Sequence, residues 1–118
     1  MPQIIVRYSP ALLTTIELSN LALPVRVLVA EVASTPKVPF TKSDIEWIPQ
    51  SYENGTLAPV LALEIRTIGF PERKAKMNRE AMQELKKKIM ELEDFPESCR
   101  SLNSLIWVQF MDPDGVHV

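Results

Sequence analysis

The apolar positions of this chain follow two rhythms. Consecutive β-branched Ile4, Ile5 and Val6 predict a strand over Gln3–Tyr8, stopped by Ser9-Pro10. The run Val60–Ile68, VLALEIRTI, predicts the strongest strand, closed by Gly69-Phe70-Pro71. Leu105–Met111 predicts the last strand, followed by a turn at Asp112-Pro113-Asp114-Gly115. A short strand is expected over Asp44–Ile48, cut off by Pro49, and a loop over Ser51–Pro59 that turns at Asn54-Gly55. Helical spacing is clearest in Asn78–Glu93, where Ala81, Met82, Leu85, Ile89 and Leu92 form one stripe and Asn78 can cap the amino end. Ala11–Ser34 shows partial helical spacing through Leu12, Leu13, Ile16, Leu23, Val27, Leu28 and Glu31. Pro24 is expected to split it into a short first piece and a main helix that carries Pro24 in its first turn. The run Val25, Val27, Val29 and Val32 also fits a strand. Thr35–Pro39 ends this element.

The predicted order is therefore β-α-β-β-α-β, an α+β domain over residues 1–118 with two helices on one face of one sheet. Alternation assigns Leu61, Leu63, Ile65 and Thr67, with Ile106, Val108 and Phe110, to the helix side. The opposite face carries Val60, Ala62, Glu64, Arg66 and Ile68, with Leu105, Trp107, Gln109 and Met111. Its mixture of aliphatic, charged and amide groups suggests contact with another subunit and a pocket at one end, or an ordinary exposed face with some apolar residues. Five apolar side chains there, Ala62, Ile68, Leu105, Trp107 and Met111, make a patch that monomers seldom expose. Self-association would bury it and let Glu64 and Arg66 pair across subunits.

Composition narrows the function. The chain has 118 residues, 46% of them hydrophobic, enough for a core without staples. Thirteen Lys+Arg against 15 Asp+Glu give a net charge of −2, which makes neither nucleic acid nor an anionic membrane the default partner. The most apolar stretch, Leu21–Ala33, contains Pro24, Arg26 and Glu31 and is too short to span a bilayer. The start, MPQIIVRYS, lacks a signal-peptide core. Cys99 and His117 are each alone, which excludes an intrachain disulfide and a histidine-based zinc site, and a reduced cytoplasmic setting is the simplest expectation. With 3 glycines the chain has neither GxGxxG nor GxxxxGK[ST]. No cofactor is implied.

Pro2 follows Met1 directly, so removal of Met1 would leave a free secondary amine at the head of a strand. The chain resembles the tautomerase superfamily, in particular its macrophage-migration-inhibitory-factor-like branch and a related group of uncharacterised short bacterial proteins. The resembling stretches are Pro2–Tyr8, Ser34-Thr35-Pro36-Lys37, Pro59–Phe70 with Thr67-Ile68-Gly69, Asn78–Glu93 and Leu105–Asp112, in the family's order. The resemblance implies a four-stranded mixed sheet, a homotrimer, and keto–enol proton transfer on a small 2-oxo acid or its enol. It implies that Pro2 is the catalytic base, that Lys37 or its competitor Lys42 is the pocket lysine, and that Ile68 offers a backbone amide. The family's tyrosine and asparagine on the last strand fall here on Trp107 and Gln109. Trp107 keeps an aromatic wall and can only donate, and Gln109 keeps the amide on a longer arm.

Such a transfer needs a base that is neutral near neutral pH and a cation or donor to hold the developing enolate. An apolar pocket near Lys37 or Arg66 would lower the amine pKa of Pro2, with Ile4, Ile68, Phe70 and Trp107 as walls. Lys37 or Arg66 could bind a substrate carboxylate, Arg66 with the better fork. Each residue also has a plainer reading: Lys37 as a solvated loop lysine, Arg66 as half of an ion pair, Trp107 as core or interface, and Lys86-Lys87-Lys88 as a solvated helix face. Retention of Met1 would make Pro2 an amide with no basic lone pair. The chain would then be a trimeric scaffold or binding protein that keeps the fold without the reaction.

Overall fold

On the strand Leu61–Ile68 the alternation decides the architecture: Leu61, Leu63, Ile65 and Thr67 are all at most 3% exposed. The computed structural model describes residues 2–10, 13–51, 61–97 and 104–111. The elements run β1 (Gln3–Tyr8), α1 (Thr15–Ala33), a single 3₁₀ turn (Lys42–Asp44), β2 (Glu46–Ser51), β3 (Leu61–Ile68), α2 (Pro71–Lys76), α3 (Arg79–Met90) and β4 (Ser104–Met111). One sheet has the order β2-β1-β3-β4. β1 is parallel to β2 and antiparallel to β3, and β3 is parallel to β4. This is the α+β fold with a four-stranded mixed sheet expected from the sequence. The Asn54-Gly55 turn, Cys99, the turn at Asp112–Gly115 and His117 lie outside the described residues.

The core lies between one sheet face and the helices. Ile4 and Val6 of β1 and Leu61, Leu63 and Ile65 of β3 meet Leu18, Leu21, Val25, Val29 and Ala33 of α1 and Met82, Leu85 and Ile89 of α3. α3 starts as expected, with the Asn78 side chain accepting from the Ala81 N–H at 2.9 Å. α1 starts with a reciprocal cap, in which Thr14 Oγ1 accepts from Glu17 N and Glu17 accepts from Thr14 N.

Three elements differ from the sequence expectation. α1 is one helix that runs through Pro24. An interior proline costs about 3 kcal/mol, and burial of the stripe Leu18, Leu21, Val25 and Val29 outweighs it. The face actually buried is also displaced from the expected one, for Ile16, Leu23 and Val27 are 72%, 48% and 38% exposed. The second strand continues past Pro49 to Ser51, because β2 is an edge strand and a missing N–H there can face outward. Pro71 does not merely close β3; it opens the short helix α2 at a position where a proline lacks nothing.

The second sheet face is less open than expected. Ala62 is 2% and Ile5 3% exposed within the single chain. Glu64 does not wait for a neighbour: it accepts from Arg7 at 3.0 Å and from Arg66. Burial alone would raise the Glu64 carboxyl; the hydrogen bonds from Arg66 and Arg7, with their charges, more than offset it and hold the group below its ordinary value of 4.5. A depressed folded pKa contributes stability that is present above the unfolded value and lost as pH falls through the folded one. Urea unfolding between about pH 7 and about pH 3 should therefore show stability declining below about 4.5, the unfolded value. Glu64→Gln should remove that part of the decline. An unchanged pH profile in the variant would contradict the linkage.

Candidate active site

The antiparallel pairing of β1 with β3 sets Gln3 opposite Arg66, so the amino end of β1 lies beside the carboxyl end of β3. Pro2 is buried there, and its carbonyl accepts from Glu46 N at 3.1 Å, which fixes the residue against β2. A cavity of about 130 Å³ opens beside it, walled by Val38, Phe40, Ile68 and Phe70, with Thr67 and Arg73 as its polar members. Two further hollows share walls with it. One of about 280 Å³ is bounded by Thr35, Lys37, Val38, Phe70, Pro71 and Glu72. The other, about 210 Å³, is bounded by Pro2, Pro39, Phe40 and Asp44. Together they form a trough that passes Pro2.

Arg73 is the charged centre of this trough and is 1% exposed. Its Nε donates to Ala33 O at 2.9 Å, and its Nη1 donates to Thr67 Oγ1 at 3.1 Å and to Ile68 O at 2.8 Å. The guanidinium carbon lies 4.6 Å from the Phe40 ring centre and 5.5 Å from that of Phe70. Its Nη2 is buried without a hydrogen-bond partner among the described residues. Burial pulls the Arg73 pKa below the ordinary arginine value, and the group remains a cation at neutral pH.

The loop after α1 is held just as firmly. Ser34 Oγ accepts from Phe40 N at 2.8 Å and donates to Phe40 O at 3.0 Å. Thr35 Oγ1 accepts from Val38 N at 3.1 Å. Lys76 Nζ donates to Glu31 O and Ser34 O, the open carbonyls at the end of α1. These bonds place Lys37, Val38 and Phe40 on the trough. At the other side, Gly69 permits a close approach: a Cβ there would sit 2.7 Å from Phe110 Cβ.

No family model matches the sequence, and no curated protein matches it. Solved structures do. A macrophage migration inhibitory factor-like protein from Entamoeba histolytica is 16% identical with a TM-score of 0.62, over 99% of this chain and 94% of that one. A fused 4-OT described as an asymmetric trimer is 9% identical with a TM-score of 0.60, over 98% and 91%. N1, a member of the cis-3-chloroacrylic acid dehalogenase family, is 13% identical with a TM-score of 0.58, over 98% and 79%. The chain has the tautomerase-superfamily fold.

Within the tautomerase fold the candidate residues separate. Pro2 and Ile68 share the inner cavity, together with the expected wall Phe70. Lys37 lines the adjoining hollow, 3.7 Å from Glu72 and largely exposed. Lys42 is exposed on the 3₁₀ turn. Arg66 pairs with Glu64 on β3, and Gln109 lies in register with Arg66 on β4 and is exposed. Trp107 is in register with Glu64, and its side chain lies outside the described residues. Ile4 is fully buried in the core. Arg73, Phe40 and Asp44 were not among the sequence candidates. The available signal for Arg73 was Pro71, a helix-start residue that reads equally as a strand stop.

Arg73→Met should destabilise the fold by about 3 kcal/mol or more in urea unfolding, because it leaves two buried carbonyls and a hydroxyl without their donor. Arg73→Lys should recover little, since one ammonium cannot reproduce the planar fork. A loss under about 1 kcal/mol for Arg73→Met would show that these bonds are dispensable.

Proposed function

We propose that this chain is a tautomerase-type isomerase that moves a proton between carbon and oxygen of a small 2-oxo acid, with the amine of Pro2 as base after removal of Met1. The observation that carries the reading is the shared cavity: Pro2 and the buried cation Arg73 face one space with Phe40, Phe70, Val38 and Ile68 as apolar walls. Apolar surroundings and a nearby guanidinium both disfavour a protonated amine, which makes Pro2 a better base near neutral pH. The neutral amine takes a proton from the carbon beside the carbonyl. The electron pair of that C–H bond forms the carbon–carbon double bond of the enolate, and the carbonyl pair moves onto oxygen. Arg73 Nη2 is a donor available to that oxygen or to the carboxylate. The protonated Pro2 then gives its proton to the enolate oxygen, which completes the keto-to-enol isomerisation without a cofactor; the reverse direction runs through the same steps.

The same proposal includes a homotrimer in a cytoplasmic setting. The similarity to a fused 4-OT described as a trimer supports self-association, as does the position of β2 and β4 as the outer strands of the sheet among the described residues. No described helix is long and apolar enough to cross a membrane. A second reading, a trimeric scaffold without the reaction, is favoured by Trp107 and Gln109 at positions where the family has tyrosine and asparagine.

The test uses chain whose Met1 removal has been checked by intact mass, a panel of 2-oxo acids followed by ultraviolet absorbance, and Pro2→Ala as control. Turnover in the wild type that falls at least about a hundredfold in Pro2→Ala is expected. Equal activity in both removes Pro2 from the mechanism, and native retention of Met1 leaves the scaffold reading. Sedimentation should give a mass near three chains of 13.4 kDa; a single chain contradicts the trimer.

A further inference from the structure

α1 leaves the helix side of β2 incompletely covered. Trp47 and Pro49 stand in register with the buried Ile4 and Val6, on the side of the sheet that faces the helices. Trp47 is nevertheless only half-buried, and Pro49 is exposed. The residues of α1 that come nearest, Ser19 and Ala22, are small, and a groove of about 250 Å³ remains between the helix and the strand. Leu18 supplies its buried wall, and Tyr8 from the end of β1 and Thr15 from the first turn of α1 complete the lining. The groove shares no lining residue with the trough beside Pro2.

The lining has a definite chemistry. No Asp, Glu, Lys, Arg or His belongs to it. Arg26, one helical turn beyond Ala22, donates its Nε to Ala22 O at 3.1 Å. The hydroxyls of Tyr8, Thr15 and Ser19 make no hydrogen bond among the described residues. An ionic ligand would lose hydration in the groove without meeting an opposite charge. An uncharged ring can lie against Trp47 and Pro49 while a hydroxyl on it exchanges hydrogen bonds with the three side-chain hydroxyls. A cavity of about 150 Å³ accepts benzene, so this groove admits one ring with a short polar arm. A continuous peptide strand is poorly matched to this edge. Glu46 N donates inward to Pro2 O, so alternation turns Pro49 outward, where it offers no N–H.

We infer that the groove between α1 and β2 is a second ligand site, for an uncharged aromatic alcohol of a single ring. It uses none of the trough residues and is independent of the proposed reaction.

The experiment titrates full-length, ¹⁵N-labelled protein with benzyl alcohol and, separately, with benzoate, which has the same ring and a negative charge. The chain has 2 tryptophans, and Trp47→Phe assigns their indole N–H signals. Benzyl alcohol should move the Trp47 signal saturably, with a dissociation constant on the order of a few millimolar for so small a ligand. Benzoate should act at that signal at least about tenfold more weakly. Ala22→Leu, which fills the groove with a good helix former, should weaken binding of the alcohol about tenfold or more. Ser19→Ala should weaken it about fivefold, the equivalent of one hydrogen bond, and keeps the test decisive if Ala22→Leu does not fold. An unmoved Trp47 signal, equal or tighter binding of benzoate there, or undiminished binding in Ser19→Ala or in folded Ala22→Leu would overturn the inference. Shifts confined to the amides of Val38, Phe40 and Ile68 would place the alcohol in the trough and overturn it as well.

Discussion

The end of the molecule that carries the candidate site depends on one buried guanidinium. Arg73 ties the last carbonyl of α1, at Ala33, to the end of β3, at Thr67 and Ile68. The rings of Phe40 and Phe70 flank it, one from the loop after α1 and one from the junction between β3 and α2. A buried cation is costly unless its donors are used, and here two of the three guanidinium nitrogens are used on the chain's own oxygens. The third, Nη2, is left facing no partner among the described residues. The arrangement that stabilises the junction thus also leaves one buried donor unused by the described residues, on an arginine that lines the same cavity as Pro2.

The same division between structural and available charge recurs on the sheet. Arg7 and Arg66 converge on Glu64, so these three charges are already paired within the single chain. The two guanidiniums offset the cost of holding a glutamate at 5% exposure in mid-strand. Lys37 is likewise engaged, by Glu72, at the rim of the trough. Of the cations near the strand ends, Arg73 is the one whose burial gives its charge the most weight, since exposed charges are screened by water and salt.

Much of this was legible in the sequence, and the exceptions share a cause. β1, β3 and β4 followed from β-branched and apolar runs, and burial is continuous over Ile4–Val6 and Leu61–Ile65 because the second sheet face is covered there too. α3 followed from its stripe and from Asn78. Pro24 and Pro49 misled because proline's cost is local, while the packing of α1 and the edge position of β2 are properties of the whole fold. Pro2, Ile68 and Lys37 were found on the trough through their places in a resembling pattern. Arg73 was missed because nothing in Glu72-Arg73-Lys74 distinguishes a buried arginine from its exposed neighbours; only the convergence of three distant segments does so.

The central claim is that the cavity around Pro2 makes its amine a base. The direct measurement is an NMR titration of chain lacking Met1 and labelled with ¹⁵N-proline, following the Pro2 nitrogen. The account predicts a midpoint below about 7.7, the lower end of the ordinary range for a chain-terminal amine. A midpoint within or above that ordinary range would mean that neither the apolar walls nor Arg73 acts on Pro2, and would contradict the account.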